Sequence, residues 1–142
     1  AHPGVTAPQI AAARLGAPLL NDYLTMSLSD LLTPREEVLR RARLAAESDL
    51  VICIYNPSSK KRRPLFEEVC GILSEARPAG TPVGWVRAAG GPDETSGIST
   101  LTLLAGEEID MRTIVIIGNS RTRLFDGRMV TSRGYEKKNQ GL

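Results

Sequence analysis

The segment best equipped for chemistry runs from Tyr55 to Arg63. Tyr55-Asn56 is followed by Pro57, Ser58-Ser59 and four consecutive cations, Lys60, Lys61, Arg62 and Arg63. A Tyr offers a flat face with one hydroxyl, and an Asn offers both a donor and an acceptor. Lys and Arg bind carboxylates. The Tyr and Asn suit a ligand rim, and the cations suit an anchor for an acidic ligand. Each residue also has a plainer reading: Tyr55 closes a core, Asn56 makes an Asx turn before Pro57, and the cations form a solvated loop.

Four other short segments carry small or polar groups. Ser29-Asp30 precede a helix start, where Asp30 either contacts a ligand or complements the helix dipole. In Arg87-Ala88-Ala89-Gly90 the small residues would let a flat ligand approach the backbone, or would simply form a flexible loop. Ser99-Thr100 and Gly118-Asn119-Ser120 read as strand-end hydroxyls and amides, or as a cap and a turn. No segment is specific alone. All follow strand patterns, and ligands of open α/β sheets sit outside the carboxyl ends of strands.

The elements that position these groups follow from pattern. Leu50 to Tyr55 is a continuous β-favouring run, hence a strand covered on both faces, and Pro57 ends it. Tyr23–Leu28, Pro82–Arg87, Gly97–Leu101 and Thr113–Gly118 are four further strands. Helices are expected over Ala7–Leu15, with Thr6 as cap and Gly16 as stop, and from Thr33 to about Ser48, with Thr33 as cap and Pro34 in the first helical position. A third helix opens at Pro64 and ends near Arg77-Pro78; a helical turn covers Thr102–Ala105. From Arg123 the tail reads as polar and partly loose, except Met129-Val130. The fold class is therefore α/β: a three-layer domain with a mixed, roughly five-stranded sheet flanked by helices, the second, third and fifth strands central.

Bulk properties exclude several classes. At 142 residues the chain holds one domain, or one domain and a piece of another. A net charge of +2 gives no electrostatic case for a nucleic-acid or membrane partner. Cys53 and Cys70 are the only cysteines and read as buried small hydrophobes; with His2 as the only histidine, no metal site is expected. No P-loop, Rossmann fingerprint or Ser-His-Asp set is present. No apolar run is long enough to span a membrane, and a cytoplasmic location is expected. The chain starts without Met, and Pro3-Gly4-Val5-Thr6 enters a helix at once, so the expectation is the second part of a longer protein.

Pro3-Gly4-Val5-Thr6, the Ala-rich helix and Leu15-Gly16-Ala17-Pro18-Leu19 together resemble the middle of the tetrapyrrole (corrin and porphyrin) methyltransferases. Ser27 to Pro34, Tyr55-Asn56-Pro57 with Ser59 to Arg62, Pro82-Val83-Gly84, Ile117-Gly118-Asn119-Ser120 with Thr122, Met129-Val130-Thr131 and Arg133-Gly134-Tyr135 resemble the branch that methylates C17 of precorrin-3B, or its cobalt-inserted counterpart, with ring contraction to precorrin-4. The resemblance covers nearly the whole chain. It implies a homodimer of two-domain subunits in cobalamin synthesis, with S-adenosylmethionine in the cleft between the domains and the tetrapyrrole in a trough beside it. Residues 1–20 would be the last helix of the N-terminal domain and 21–142 the C-terminal domain; the family's Gly-Pro-Gly-Asp loop belongs to the N-terminal domain. By resemblance, Thr6, Tyr55, Asn56, Ala89 and Thr100 line the cofactor side, and Ser29, Asp30, Lys60 and Lys61 face the substrate. No general acid or base is assigned. The family often has Trp at Arg35 and Asn at Ala88, so any contact made there is changed here. Another methylase of the pathway, or a non-catalytic binding or dimerisation module, are the competing readings.

Overall fold

A five-stranded mixed sheet organises the protein. The computed structural model describes residues 6–20 and 22–133. His2, the turn expected at Pro3-Gly4 and the Gly134-Tyr135 pair lie outside the described residues. The elements are α1 (Ala7–Leu15), β1 (Gly16–Ala17), β2 (Tyr23–Ser27), α2 (Arg35–Glu47), β3 (Val51–Tyr55), α3 (Arg63–Ala76), β4 (Pro82–Arg87), β5 (Thr95–Thr100), α4 (Leu101–Leu104), β6 (Thr113–Ile117), β7 (Thr122–Phe125) and β8 (Arg128–Thr131). The main sheet has the order β2-β3-β6-β4-β5. The three strands expected to be central are β3, β6 and β4, and they are.

β2 and β3 are parallel, Tyr23 opposite Val51 and Ser27 opposite Tyr55. β6 is antiparallel to both β3 and β4, and β5 is antiparallel to β4. Side chains alternate across the sheet. Ile52, Ile54, Val83, Val115 and Ile117 pack under α2, α3 and α4. Val51, Cys53, Val86, Ile114 and Ile116 face the other way, against Ala11, Ala12 and Leu15 of α1 and Met129 of β8. Gly84 makes that second face possible: a Cβ there would lie 2.5 Å from a Leu15 methyl and 2.8 Å from the Met129 sulfur.

Two expectations need correction. Pro34, not Thr33, is the N-cap of α2, with φ −57° and ψ 143°. Its ψ is extended, so helical backbone begins at Arg35, and its carbonyl accepts from Glu37 (3.0 Å) and Val38 (3.2 Å). The stretch from Arg123 to Thr131 is not loose. It forms the β7–β8 hairpin, and β8 pairs in parallel with β1 in a second, three-stranded sheet. The hairpin was obscured because β7 is largely exposed, with the pattern Thr122 buried and Arg123, Leu124 and Phe125 exposed, so no alternation marks it.

The sheet edge below the start of β3 is fixed by Arg77, at the end of α3. Its buried guanidinium donates to the carbonyls of Leu50 (2.6 Å), Gly118 (2.6 Å), Ala45 (3.1 Å) and Ala46 (3.4 Å). Burial lowers its pKa, opposed by the Asp49 charge. A hydrogen bond to a charged group contributes about 1.5–3 kcal/mol, and removing a shared donor strands the buried carbonyls. Arg77→Met should therefore cost about 3–5 kcal/mol in urea denaturation. A loss below about 1 kcal/mol would show that water replaces the guanidinium without penalty.

Candidate functional site

Strand direction decides which polar segments meet. β2, β3 and β4 deliver their carboxyl ends to one edge of the sheet; β6 and β5, running the opposite way, deliver their starts there. At this edge a groove of about 680 Å³ opens between the first turn of α1 and the loops after β3 and β4. Thr6, Tyr55, Asn56 and Ala89, four of the five residues singled out for the cofactor side, line it together.

Thr100 does not join them. It pairs with Pro82, while the rim end of β4, Arg87, pairs with Thr95. A six-residue strand spans roughly 17 Å, so Thr100 lies at the opposite edge, where it precedes α4. Gly118-Asn119-Ser120 sits at that far edge too, for the same reason. Reading every strand end as rim holds for a parallel sheet and fails in this mixed one.

Within the groove, Tyr55 shares the face of Val51 and Cys53 and is 40% exposed. Asn56 adopts a left-handed backbone, φ 49°, a conformation that Asn tolerates better than most residues. Its carbonyl accepts from Arg62 Nη1 at 3.2 Å. Its side-chain amide has no partner among the described residues, so the Asx turn does not form. Ala88 is also left-handed, φ 53°, held by its N–H on the Arg112 carbonyl (3.0 Å) and its own carbonyl on the Gly91 N–H (2.9 Å). Asn at this position would carry less strain than Ala.

The basic run splits in two. Arg62 is buried on the Asn56 carbonyl. Arg63 donates to the Ala105 carbonyl, pairs with Glu67 at 3.5 Å and lies 5.0 Å from the centre of the Phe66 ring. Both are structural, which corrects the view of four equivalent cations. Lys60 and Lys61 are exposed and have no ion pair among the described residues. Ser29 and Asp30 stand at the same sheet edge, on the β2–α2 connection, where the Leu28 N–H meets the Tyr55 carbonyl (3.3 Å) and the Ser29 N–H meets Ser27 Oγ (3.0 Å). They flank the groove without lining it. Leu31 and Leu32 follow, 83% and 99% exposed. Arg35, at the start of α2, pairs with Glu68.

Sequence reasoning missed Thr25, Met111, Arg112 and Ile114, which also line the groove. Met111, Arg112 and Ile114 arrive at the amino end of β6, which only the antiparallel pairing brings to the rim. The signal for Thr25 was present, as the residue opposite Cys53 in a strand beside β3. Tyr55 and Arg112 are the ionisable side chains of the lining. Such a groove can bind and align; among the described residues its lining carries no carboxylate, thiol or imidazole. Burial pushes Cys53 and Cys70 up to about 12, which makes them inert. Among the described residues no group of His, Cys, Asp and Glu could hold a metal ion, and no helix is long and apolar enough to cross a membrane.

Comparison with known proteins bears on this geometry. The family model of the tetrapyrrole (corrin/porphyrin) methylases matches residues 1–105. The chain belongs to the tetrapyrrole methylase family. It is 46% identical over 143 residues to the probable cobalt-factor III C(17)-methyltransferase of Methanocaldococcus jannaschii, covering 96% of this chain and 57% of that protein. It is 47% identical over 124 residues to the precorrin-3B C(17)-methyltransferase of a Sinorhizobium species, covering 87% of this chain and 49% of that one. The crystal structure of the methyltransferase CobJ superposes with a TM-score of 0.86 at 38% identity, covering 92% of this chain and 54% of that chain. This tetrapyrrole methylase chain spans about half the length of the curated relatives it matches.

The Gly118-to-Thr122 segment has a structural explanation at the far edge of this fold. A Cβ on Gly118 would lie 2.7 Å from Thr122 Cβ. Asn119 Nδ2 donates to the Asp49 carbonyl (3.0 Å), and the Asp49 carboxylate accepts from the Ser120 N–H (3.0 Å) and Oγ (2.6 Å). Burial raises the Asp49 pKa, but the Ser120 hydrogen bonds and the Arg77 and Arg121 charges outweigh it, so the net shift is downward. The folded pKa then lies below the unfolded one. The latch contributes fully above the unfolded value, near 4, and is lost as pH falls through the folded value. Asp49→Asn should lower stability at pH 7 and flatten the stability profile below pH ~4. Parallel acid profiles for wild type and variant would remove Asp49 from the acid limb.

Proposed function

We propose that this chain forms the C-terminal part of an S-adenosylmethionine-dependent methyltransferase of cobalamin biosynthesis, acting on C17 of precorrin-3B or of its cobalt-inserted counterpart. The observation that carries the reading is the convergence of Thr6, Tyr55, Asn56 and Ala89 on one groove. Identities of 46% and 47% to proteins named for C17 methylation support the choice of carbon. In this reading residues 1–20 supply the last helix of an N-terminal domain, 21–142 form the C-terminal domain, and the working enzyme is a homodimer.

The lining fits the chemistry of the methyl donor. Ala7, Pro8, Ala89 and Ile114 offer apolar surface to an adenine ring, with Tyr55 beside them. The Asn56 amide and the Thr6 and Thr25 hydroxyls suit its polar edge and ribose, and Arg112 suits its carboxylate. Its volume lies within the range of small-molecule sites. The sulfonium supplies an activated methyl group, so the protein's task is alignment. Holding donor and acceptor in line contributes several kcal/mol without an acid or base, in keeping with a lining that shows no carboxylate or imidazole among the described residues. Lys60 and Lys61 are exposed on the connection that leads from the groove residues Tyr55 and Asn56 to α3, have no ion pair among the described residues, and suit carboxylate side chains of a tetrapyrrole. Ser29 and Asp30 belong to the same substrate-facing rim.

Asn56→Gly in the full-length enzyme tests the cofactor side, because Gly keeps the left-handed backbone while removing the amide. Affinity for S-adenosylmethionine should fall roughly tenfold in calorimetric titration, with the melting temperature within about 2 °C. A lower melting temperature with intact affinity would make Asn56 a fold residue only. Replacing Lys60 and Lys61 together by Gln should raise the Michaelis constant for the tetrapyrrole, leave that for the donor unchanged, and matter less as salt rises. Kinetics indifferent to the replacement at low salt would leave the two lysines as solvated surface.

A further inference from the structure

The wall of the groove is made by two elements from distant parts of the chain. The first turn of α1 contributes Thr6, Ala7 and Pro8; the loop after β4 contributes Ala88, Ala89 and Gly91. That loop bends sharply, with left-handed backbone at Ala88 (φ 53°) and Gly90 (φ 79°). It faces α1 at Gly90, where an added Cβ would meet the Ile10 Cδ1 methyl at 3.5 Å. Glu94 then ties the two elements together. Its Oε1 accepts from the Gly90 N–H at 2.8 Å, and its carboxylate receives Arg14 Nε of α1 at 2.9 Å and 3.1 Å. The Gly90 N–H, ahead of the Arg14 charge, holds the Glu94 carboxyl below its ordinary range.

Stability is a poor reason for this arrangement. The Arg14 side chain is 56% exposed, and exposed ion pairs contribute little. Geometry is the better reason. One carboxylate fixes the backbone of Gly90, beside Ala89 and Gly91, and at the same time fixes the distance of that loop from α1. Among the described residues, no other side chain hydrogen-bonds to both elements.

We infer that Glu94 is a positioning residue for methyl-donor binding: with Arg14 it clamps the loop after β4 onto α1 and sets the width of the groove. The inference rests on the proposed function, and if residues 1–20 are the last helix of the N-terminal domain, the clamp also joins the two domains. Glu94 lies outside the groove and touches no reacting atom. Its effect is to keep Ala88 to Gly91 at one distance from Thr6 to Pro8, so that the donor binds a formed wall and does not have to order one.

The test uses the full-length enzyme with Glu94→Ala, Glu94→Gln and Arg14→Gln, titrated with S-adenosylhomocysteine as a stable donor analogue. Glu94→Ala should weaken binding roughly tenfold. Glu94→Gln should fall between it and wild type, because Gln keeps an acceptor for the Gly90 N–H, and Arg14→Gln should match Glu94→Gln. Melting temperatures should stay within about 2 °C of wild type. Hydrogen exchange of the peptide covering residues 88–94 should speed up in Glu94→Ala alone, and the Michaelis constant for the donor should rise while that for the tetrapyrrole stays put. Wild-type affinity in Glu94→Ala, or a fall in melting temperature that accounts for the lost affinity, overturns the clamp while the proposed function stands. A wild-type enzyme that binds no S-adenosylhomocysteine overturns the parent reading and the clamp's role within it.

Discussion

The buried guanidinium of Arg77 holds the sheet edge on which the rest of the structure depends. Because β3 and β6 are antiparallel, Leu50 before one strand and Gly118 after the other become neighbours, and both carbonyls are left without strand partners. The last carbonyls of α2, at Ala45 and Ala46, point to the same place with the negative end of the helix dipole. One planar cation with five donors satisfies all four. A Lys would bring a single point charge and could not span three elements. Asp49 supplies the nearby countercharge and latches the segment after β6.

With that edge closed, the two ends of the sheet divide the work. At the far edge the polar groups satisfy one another: Arg77 on carbonyls, Asp49 on Ser120, Asn119 on Thr122, and Thr122 on Thr131 at 2.8 Å. At the groove edge polar groups are left over among the described residues, including the Asn56 amide and the cations of Lys60, Lys61 and Arg112. Exposed groups lose little by lacking a protein partner, since water serves them, and they remain available to a ligand. The rigid edge and the unsatisfied edge are two ends of the same strands.

Much of this was legible from residue patterns, and the failures share a cause. β4 has the boundaries read for it, Pro82 to Arg87, because Pro starts it and small residues end it. β3 and β6 stand out as apolar runs with buried faces on both sides. What pattern could not supply was direction. A run such as Ile114–Ile117 looks the same whichever way it enters a sheet, so Asn119 and Thr100 were assigned to an edge they do not reach, and Arg112 and Met111 were overlooked. The hairpin from Thr122 to Thr131 escaped for a different reason. Its stability comes from pairing with β1, a two-residue strand from the start of the chain, and no local pattern announces a partner so far away.

The placement of β6 also constrains how the protein is made. It is the middle strand of the sheet, yet its residues, 113–117, come after those of all four of its sheet-mates. Until they emerge, the sheet exists only as two separate pairs, β2-β3 and β4-β5. Each pair presents an open apolar edge, Val51 to Ile54 on one and Val83 to Val86 on the other. Contacts of such long sequence separation close slowly, and unpaired edges invite pairing with other chains. A nascent chain that ends before residue 113 therefore leaves both edges unpaired, and a short stretch of late-arriving Ile and Val fills the gap from both sides.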